Sequence, residues 1–215
     1  YWIIEGLEIT QFNLNGVQVK ANNCIVRKCV IHDYALNTSL FPDSSTSVGI
    51  HLKNRASKCT IEDCLIYNSA QGEAIYVGEG ASGEGSIDNT IRRNRISNVW
   101  EGVDVKPGSS PNTIELNTID NCGHFGINSP NGVTIQRNTV IRSGREGTKA
   151  GISVKGDSVV RYNTVIRCPN FGIRIKNSNN IVEDNLIAGT RKSPIENSDG
   201  NNTIQRNIIL TSDNE

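Results

Sequence analysis

The chain has 215 residues, 36% hydrophobic and 20% charged, and its 22 basic and 22 acidic side chains give a formal net charge of zero. That balance argues against a nucleic-acid partner or an electrostatically held membrane surface. No apolar run is long enough for a membrane-spanning helix, and no leader peptide is visible.

Taken in chain order, the sequence opens on a strand-like run, Tyr1-Trp2-Ile3-Ile4-Glu5-Gly6-Leu7-Glu8-Ile9. An apolar-x-apolar segment then recurs and ends on one aligned column: Gly6, Cys29, Cys64, Asn94, Asn117, Asn138, Asn163, Asn185 and Asn207. The last five steps are 21 to 25 residues, a period that signals a solenoid. A second column runs in step with it: Gly16, Gly49, Ala74, Gly102, Gly126, Gly151, Gly172 and Pro194. An apolar residue follows each of these, and often another two places later, the period of a strand with one buried face. Gly, Asn, Ser and Asp separate the strands, and no window supports a long amphipathic helix. The expected fold is all-β, a right-handed parallel β-helix of eight to nine coils. It forms a single domain over residues 1–215, part of a longer chain whose N-terminal cap lies elsewhere. Open terminal coils would favour end-to-end self-association.

Stacked coils would set the asparagines above one another. Their amides can then pass hydrogen bonds along the column, a structural role and not a catalytic one. The six cysteines fall in register too. Cys24 and Cys59 stand five places before the asparagine column, and Cys122 and Cys168 five after it. They read as small buried hydrophobes. The stacked pairs Cys24/Cys59 and Cys29/Cys64 are open to bridging, so the redox compartment stays open.

The outward positions of the glycine-led strand form the wall on which function is expected. The first outward column reads Gln18, His51, Tyr76, Asp104, Asn128, Ser153, Arg174 and Glu196; the second reads Lys20, Lys53, Gly78, Lys106, Pro130, Lys155 and Lys176. A lysine stripe suits a linear polyanion, although lysine also guards sheet surfaces against association. Acidic residues gather mid-chain: Glu73, Glu79 and Glu84 around Tyr76, then Glu101 and Asp104. Glu73, Glu101 and Asp104 are a candidate oxygen site for Ca2+; the plain alternative is a salt-bridged surface patch. Insertions around Leu40-Phe41-Pro42-Asp43-Ser44-Ser45, Gly78–Gly85 and Arg142–Lys149 could wall a groove. His32 and His124 stand outside these columns.

The segments Gln71-Gly72-Glu73-Ala74-Ile75-Tyr76-Val77-Gly78, Asn89-Thr90-Ile91-Arg92-Arg93-Asn94 and Glu101-Gly102-Val103-Asp104-Val105-Lys106-Pro107-Gly108 resemble secreted microbial proteins of the pectate lyase-like right-handed β-helix superfamily. The resemblance implies an extracellular carbohydrate-active protein acting on an acidic, uronate-containing polysaccharide, foremost as a β-eliminating lyase. Lys106 or Lys53 would be the base and Glu73, Glu101 and Asp104 the cation or substrate ligands. His51, Tyr76, Lys155, Arg174 and Lys176 would bind substrate. A non-catalytic binding module and a structural rod are the alternatives. Gly172-Ile173-Arg174-Ile175-Lys176 also resembles a polygalacturonase segment, but the Asn-Thr-Asp and Asp-Asp carboxylates that hydrolysis needs are missing from the expected places.

Overall fold

The structure is a computed structural model, and it describes residues 1–36, 47–80 and 85–211. The insertion around Leu40–Ser45 and the acidic Glu84 lie outside the described residues. The described residues wind into coils of three short strands, and every strand pairs in parallel with its equivalent one coil away. Three sheets of nine, nine and eight strands result, a parallel β-helix. No helix among the described residues is long and apolar enough to cross a membrane.

In the first two sheets most strands are three or four residues long and turn one apolar residue inward. In the first sheet Ile61, Ile91, Ile114 and Ile135 are register partners in successive coils, and all are fully buried. Ile31, Ile66, Ile96, Ile119 and Val140 do the same in the second sheet. Ile50, Ile75, Val103, Ile127 and Ile152 do so in the third. These β-branched side chains stack on a pleated surface with little rotamer freedom to lose.

The bend from the first to the second sheet needs one left-handed residue per coil. Lys28, Asp63, Arg93, Leu116, Arg137, Tyr162, Asp184 and Arg206 all have φ between 52° and 57°. Non-glycine residues resist this region by roughly 1–2 kcal/mol each. Backbone bonds to the next coil, such as Arg93 N–H to Glu115 O at 3.3 Å, and the adjacent asparagine hold them there. Asn94, Asn117, Asn138, Asn163, Asn185 and Asn207 form the expected ladder. Asn117 Nδ2 donates to Asn138 Oδ1 at 3.0 Å, and that same oxygen accepts the Asn117 N–H at 3.0 Å. A second ladder runs five places earlier, where Asn89 N–H donates to Asn112 Oδ1 and Asn180 Nδ2 to Asn202 Oδ1.

The cysteines sit in these columns as free, buried thiols. Burial pushes the thiols of Cys64, Cys122 and Cys168 up to about 12. A thiol-specific disulfide reagent should therefore label none of the six in the native protein and all six in denaturant. Rapid labelling of the native protein would contradict this packing.

The third sheet carries the glycine column on its inner side. A Cβ on Gly102 would lie 2.3 Å from Gly126 O and 2.9 Å from Ile119 Cγ2, so the column is small because the coils meet there. Two inward residues in succession, such as Gly102 and Val103, interrupt the alternation. As a result the residue before the glycine faces outward together with the one two places after it.

Candidate functional site

That interruption brings Glu73 and Glu101 to the same face as Asp104. Glu73 and Glu101 are register partners in adjacent coils, as are Tyr76 and Asp104. Each of the three acidic side chains is more than nine-tenths buried. One ligand oxygen from each lies within 4.8 Å of the others. Lys106 forms an ion pair with Asp104, and its ammonium also stands 4.5 Å from the centre of the Tyr76 ring. Asn128 Nδ2 donates to the other Asp104 oxygen at 3.0 Å.

Crowding three carboxyls away from water favours their neutral forms. Burial, then the charges of Asp104 and Glu101, push Glu73 up to about 8. Burial and Asp104 raise Glu101 well above the usual carboxylate range. Burial also raises Asp104, against the pull of Lys106. For Lys106, burial works against the charge, but the Asp104 carboxylate overrides it and raises the ammonium's pKa.

Glu73 Oε2 and Glu101 Oε1 are buried without a hydrogen-bond partner. Their spacing fits a cation with oxygen ligands at about 2.4 Å, the range of Ca2+. The donor set is all oxygen, apart from the neighbouring His124, and so suits a hard cation better than copper, which favours imidazole and thiolate.

A groove of about 510 Å³ opens beside the cluster, lined by His51, Lys53, Glu73, Tyr76, Glu79 and Lys106 among others. His51 Nε2 lies 2.9 Å from Gly78 O. A carbonyl can only accept, so Nε2 carries the proton and Nδ1 keeps its lone pair. Burial, with the Lys53 charge adding to it, lowers the pKa of His51. The ring meets Tyr76 edge-on, with centroids 4.8 Å apart. Burial raises the pKa of the Tyr76 phenol.

Seven of the expected site residues therefore meet here: His51, Lys53, Glu73, Tyr76, Glu101, Asp104 and Lys106. Lys155, Arg174 and Lys176 lie on the same face two and three coils beyond Asp104 and Lys106. Arg174 pairs with Glu196 and donates to Thr148 O at 2.6 Å, which ties down the Arg142–Lys149 loop.

Two residues outside the expected columns join the site. His124 stacks on Trp100 at 5.3 Å, and its Nδ1 lies 3.3 Å from Glu101 Oε2. Burial, with Lys149 adding to it, lowers His124 to about 4. His32 contrasts with both site histidines: Asp33 and Glu8 flank its two nitrogens and raise its pKa. A proton NMR titration should therefore place His32 above the ordinary histidine value and His51 and His124 below it. The reverse order would refute these surroundings.

The fold and the groove define a three-sheet parallel β-helix with an acid-lysine cluster on its third sheet. The chain belongs to the right-handed β-helix family, described as "Right handed beta helix region", which matches residues 2–140. It belongs also to the family described as "Periplasmic copper-binding protein (NosD)", which matches residues 73–215. No curated protein matches the sequence. Among solved structures, the A-module of the mannuronan C-5 epimerase AlgE6 of Azotobacter vinelandii superposes with a TM-score of 0.78 at 13% identity, covering 97% of this chain and 57% of that one. The periplasmic alginate epimerase AlgG gives 0.76 at 14% identity, covering 96% and 50%. An alginate lyase from a Paenibacillus species gives 0.67 at 20% identity, covering 97% and 73%. The chain thus spans about half the length of the two epimerases.

Proposed function

We propose that this chain acts on an acidic, uronate-containing polysaccharide by removing the proton at C5, beside the sugar carboxylate, and that elimination of the C4 substituent follows. The observation that carries the reading is the set of buried carboxyls Glu73, Glu101 and Asp104, paired with the half-buried Lys106 and set beside a histidine and a phenol in one groove. The structural neighbours, two alginate epimerases and an alginate lyase, point the same way.

Removing a C5 proton builds negative charge on the carboxylate, and that charge must be met by fixed positive or proton-donating groups. Lys106 is suited to this task. The lysine column suggests Lys106 as the base, but an ammonium held by Asp104 is a poor one. His51 is the better base, because its Nδ1 is free and its neutral form is favoured. Lys53, on the same groove, adds attraction for the polymer. Tyr76, beside His51, is placed to give its phenolic proton to the departing oxygen. Glu73, Glu101 and Asp104 would hold Ca2+, which when bound supplies further neutralisation of the substrate carboxylate. Lys155, Arg174 and Lys176 extend the binding surface. A periplasmic or extracellular location agrees with the descriptions of the NosD family and of AlgG.

The test is incubation with pectate, alginate and glycosaminoglycans in deuterated water, with added Ca2+ or with chelator. An ultraviolet-absorbing unsaturated product establishes the lyase. Deuterium at C5 without that absorbance establishes epimerisation by the same proton abstraction. Retention of polymer with neither signal makes the chain a binding module, and the absence of all three overturns the reading. Loss of activity in chelator, restored by Ca2+, is expected if the carboxylates hold the cation.

A further inference from the structure

A second hollow lies on the same wall, outside the cluster. It has a volume of about 310 Å³ and is lined by Pro107, Gly108, Ser110, Pro130, Asn131 and Lys155. The register sets Ser129 against Val154, so Pro130 neighbours Lys155 in the next coil. Lys106 occupies the equivalent place one coil before Pro130, which puts Lys155 about 10 Å from it along the axis at ~4.8 Å per coil.

The lining has the character of a sugar site. Pro107 offers an exposed apolar face to ring C–H groups, while Ser110 and Asn131 offer polar groups to hydroxyls. Lys155 is exposed and forms no ion pair with a carboxylate among the described residues. Its neighbourhood is positive: burial, then the charges of Arg174, Lys155 and Lys149, lower the pKa of Lys176. Glu196, paired with Arg174, is the acidic group whose charge opposes this. The surplus favours an anionic ligand.

We propose that this hollow is a separate subsite for an anionic sugar unit, with Lys155 holding its carboxylate. It receives the unit two places along the chain from the one at Lys106, so the polymer lies along the solenoid axis and not across it. The inference rests on the polysaccharide reading above and adds the direction and minimum length of the substrate. A uronan whose advance per sugar is close to the inter-coil spacing of ~4.8 Å would set one unit on each coil.

The experiment compares the wild-type chain with Lys155→Glu. Calorimetry measures binding of di- and hexamannuronate, di- and hexagalacturonate, and neutral mannohexaose. Because Lys155 is exposed, circular dichroism and the unfolding midpoint should match the wild type. In the wild type one hexauronate should bind at least about tenfold more tightly than its dimer, and Lys155→Glu should cut that advantage about tenfold without changing the response to mannohexaose. An unchanged hexamer-to-dimer ratio, with dimer still bound, overturns the subsite and leaves the polysaccharide reading standing. Equal weakening of mannohexaose overturns recognition through charge. If no uronate of either length binds, both inferences fall.

Discussion

His51→Gln is expected to lower kcat by about 10²–10⁴-fold on the responsive polymer, the usual contribution of a positioned general base. KM should change far less, because Lys53, Lys106 and the carboxylate cluster remain to hold the substrate. The pH profile adds a sharper check. A base must be deprotonated to act, and burial together with Lys53 holds the pKa of His51 below its usual 6.5. Activity should therefore persist at pH 6.5 and fall as the pH drops through a lower value. Lys53→Ala removes one of the three lowering influences, burial, Lys53 and Lys20, so the acidic limb should move upward toward 6.5. An acidic limb that stays in place in Lys53→Ala, or His51→Gln activity near that of the wild type, would take the base role away from His51. Loss of activity in Lys106→Met with the acidic limb unmoved would fit Lys106 as the group that meets the developing charge.

Most of the fold was legible because a solenoid writes its period directly into the sequence. Most coils offer an inward β-branched residue per strand, and from Asn94 onward each offers an amide at the bend, so the Asn117, Asn138 and Asn163 column can be read without coordinates. The second ladder was equally periodic. Asn89, Asn112, Asn180 and Asn202 stand five places before Asn94, Asn117, Asn185 and Asn207. Cys24 and Cys59 marked that column, but Val133 and Ser158 interrupt it and hide the pattern. The left-handed bends were illegible for a physical reason. Leu116, Arg137 and Tyr162 have no local preference for positive φ, and the stacking coil imposes it.

The site was legible as columns but not as chemistry. Period-two reasoning placed Asp104 and Lys106 on one wall, and the repeat register put Glu73 and Glu101 at the same place, one before the glycine column. What it could not show is that Lys106 turns onto Asp104 and leaves one oxygen of each glutamate without a hydrogen-bond partner, since that depends on side-chain geometry across coils. His124 was passed over because it lies at a turn outside both outward columns. The available signal was its placement one coil after Trp100, two positions before the glycine column in each case, which stacks the rings.

Asn138→Asp should destabilise the protein by about 3–5 kcal/mol, a large share of a domain's stability, although it changes only an amide to a carboxylate of equal size. Asn138 is buried, and its Nδ2 donates to Ile114 O at 2.9 Å, Gln136 O at 3.1 Å and Asn163 Oδ1 at 3.1 Å. An aspartate places a second acceptor against these three oxygens, so donation is replaced by repulsion or by a buried acid that satisfies one of them at most. The Oδ1 side is untouched and still accepts from Asn117, which isolates the donor half of the rung. Since the shape is unchanged, no cavity accounts for the loss. Asn207 sits in the last described coil and is only half-buried, so water can take over part of its bonding, and Asn207→Asp should cost about 1 kcal/mol or less. Urea unfolding followed by circular dichroism reads both. The gradient from the middle of the column to its end is the informative quantity, because a ladder that merely fills space would make the two substitutions equal. Equal midpoints for Asn138→Asp and Asn207→Asp, or an Asn138→Asp midpoint within error of the wild type, would remove the asparagine ladder from the forces that hold the coils together.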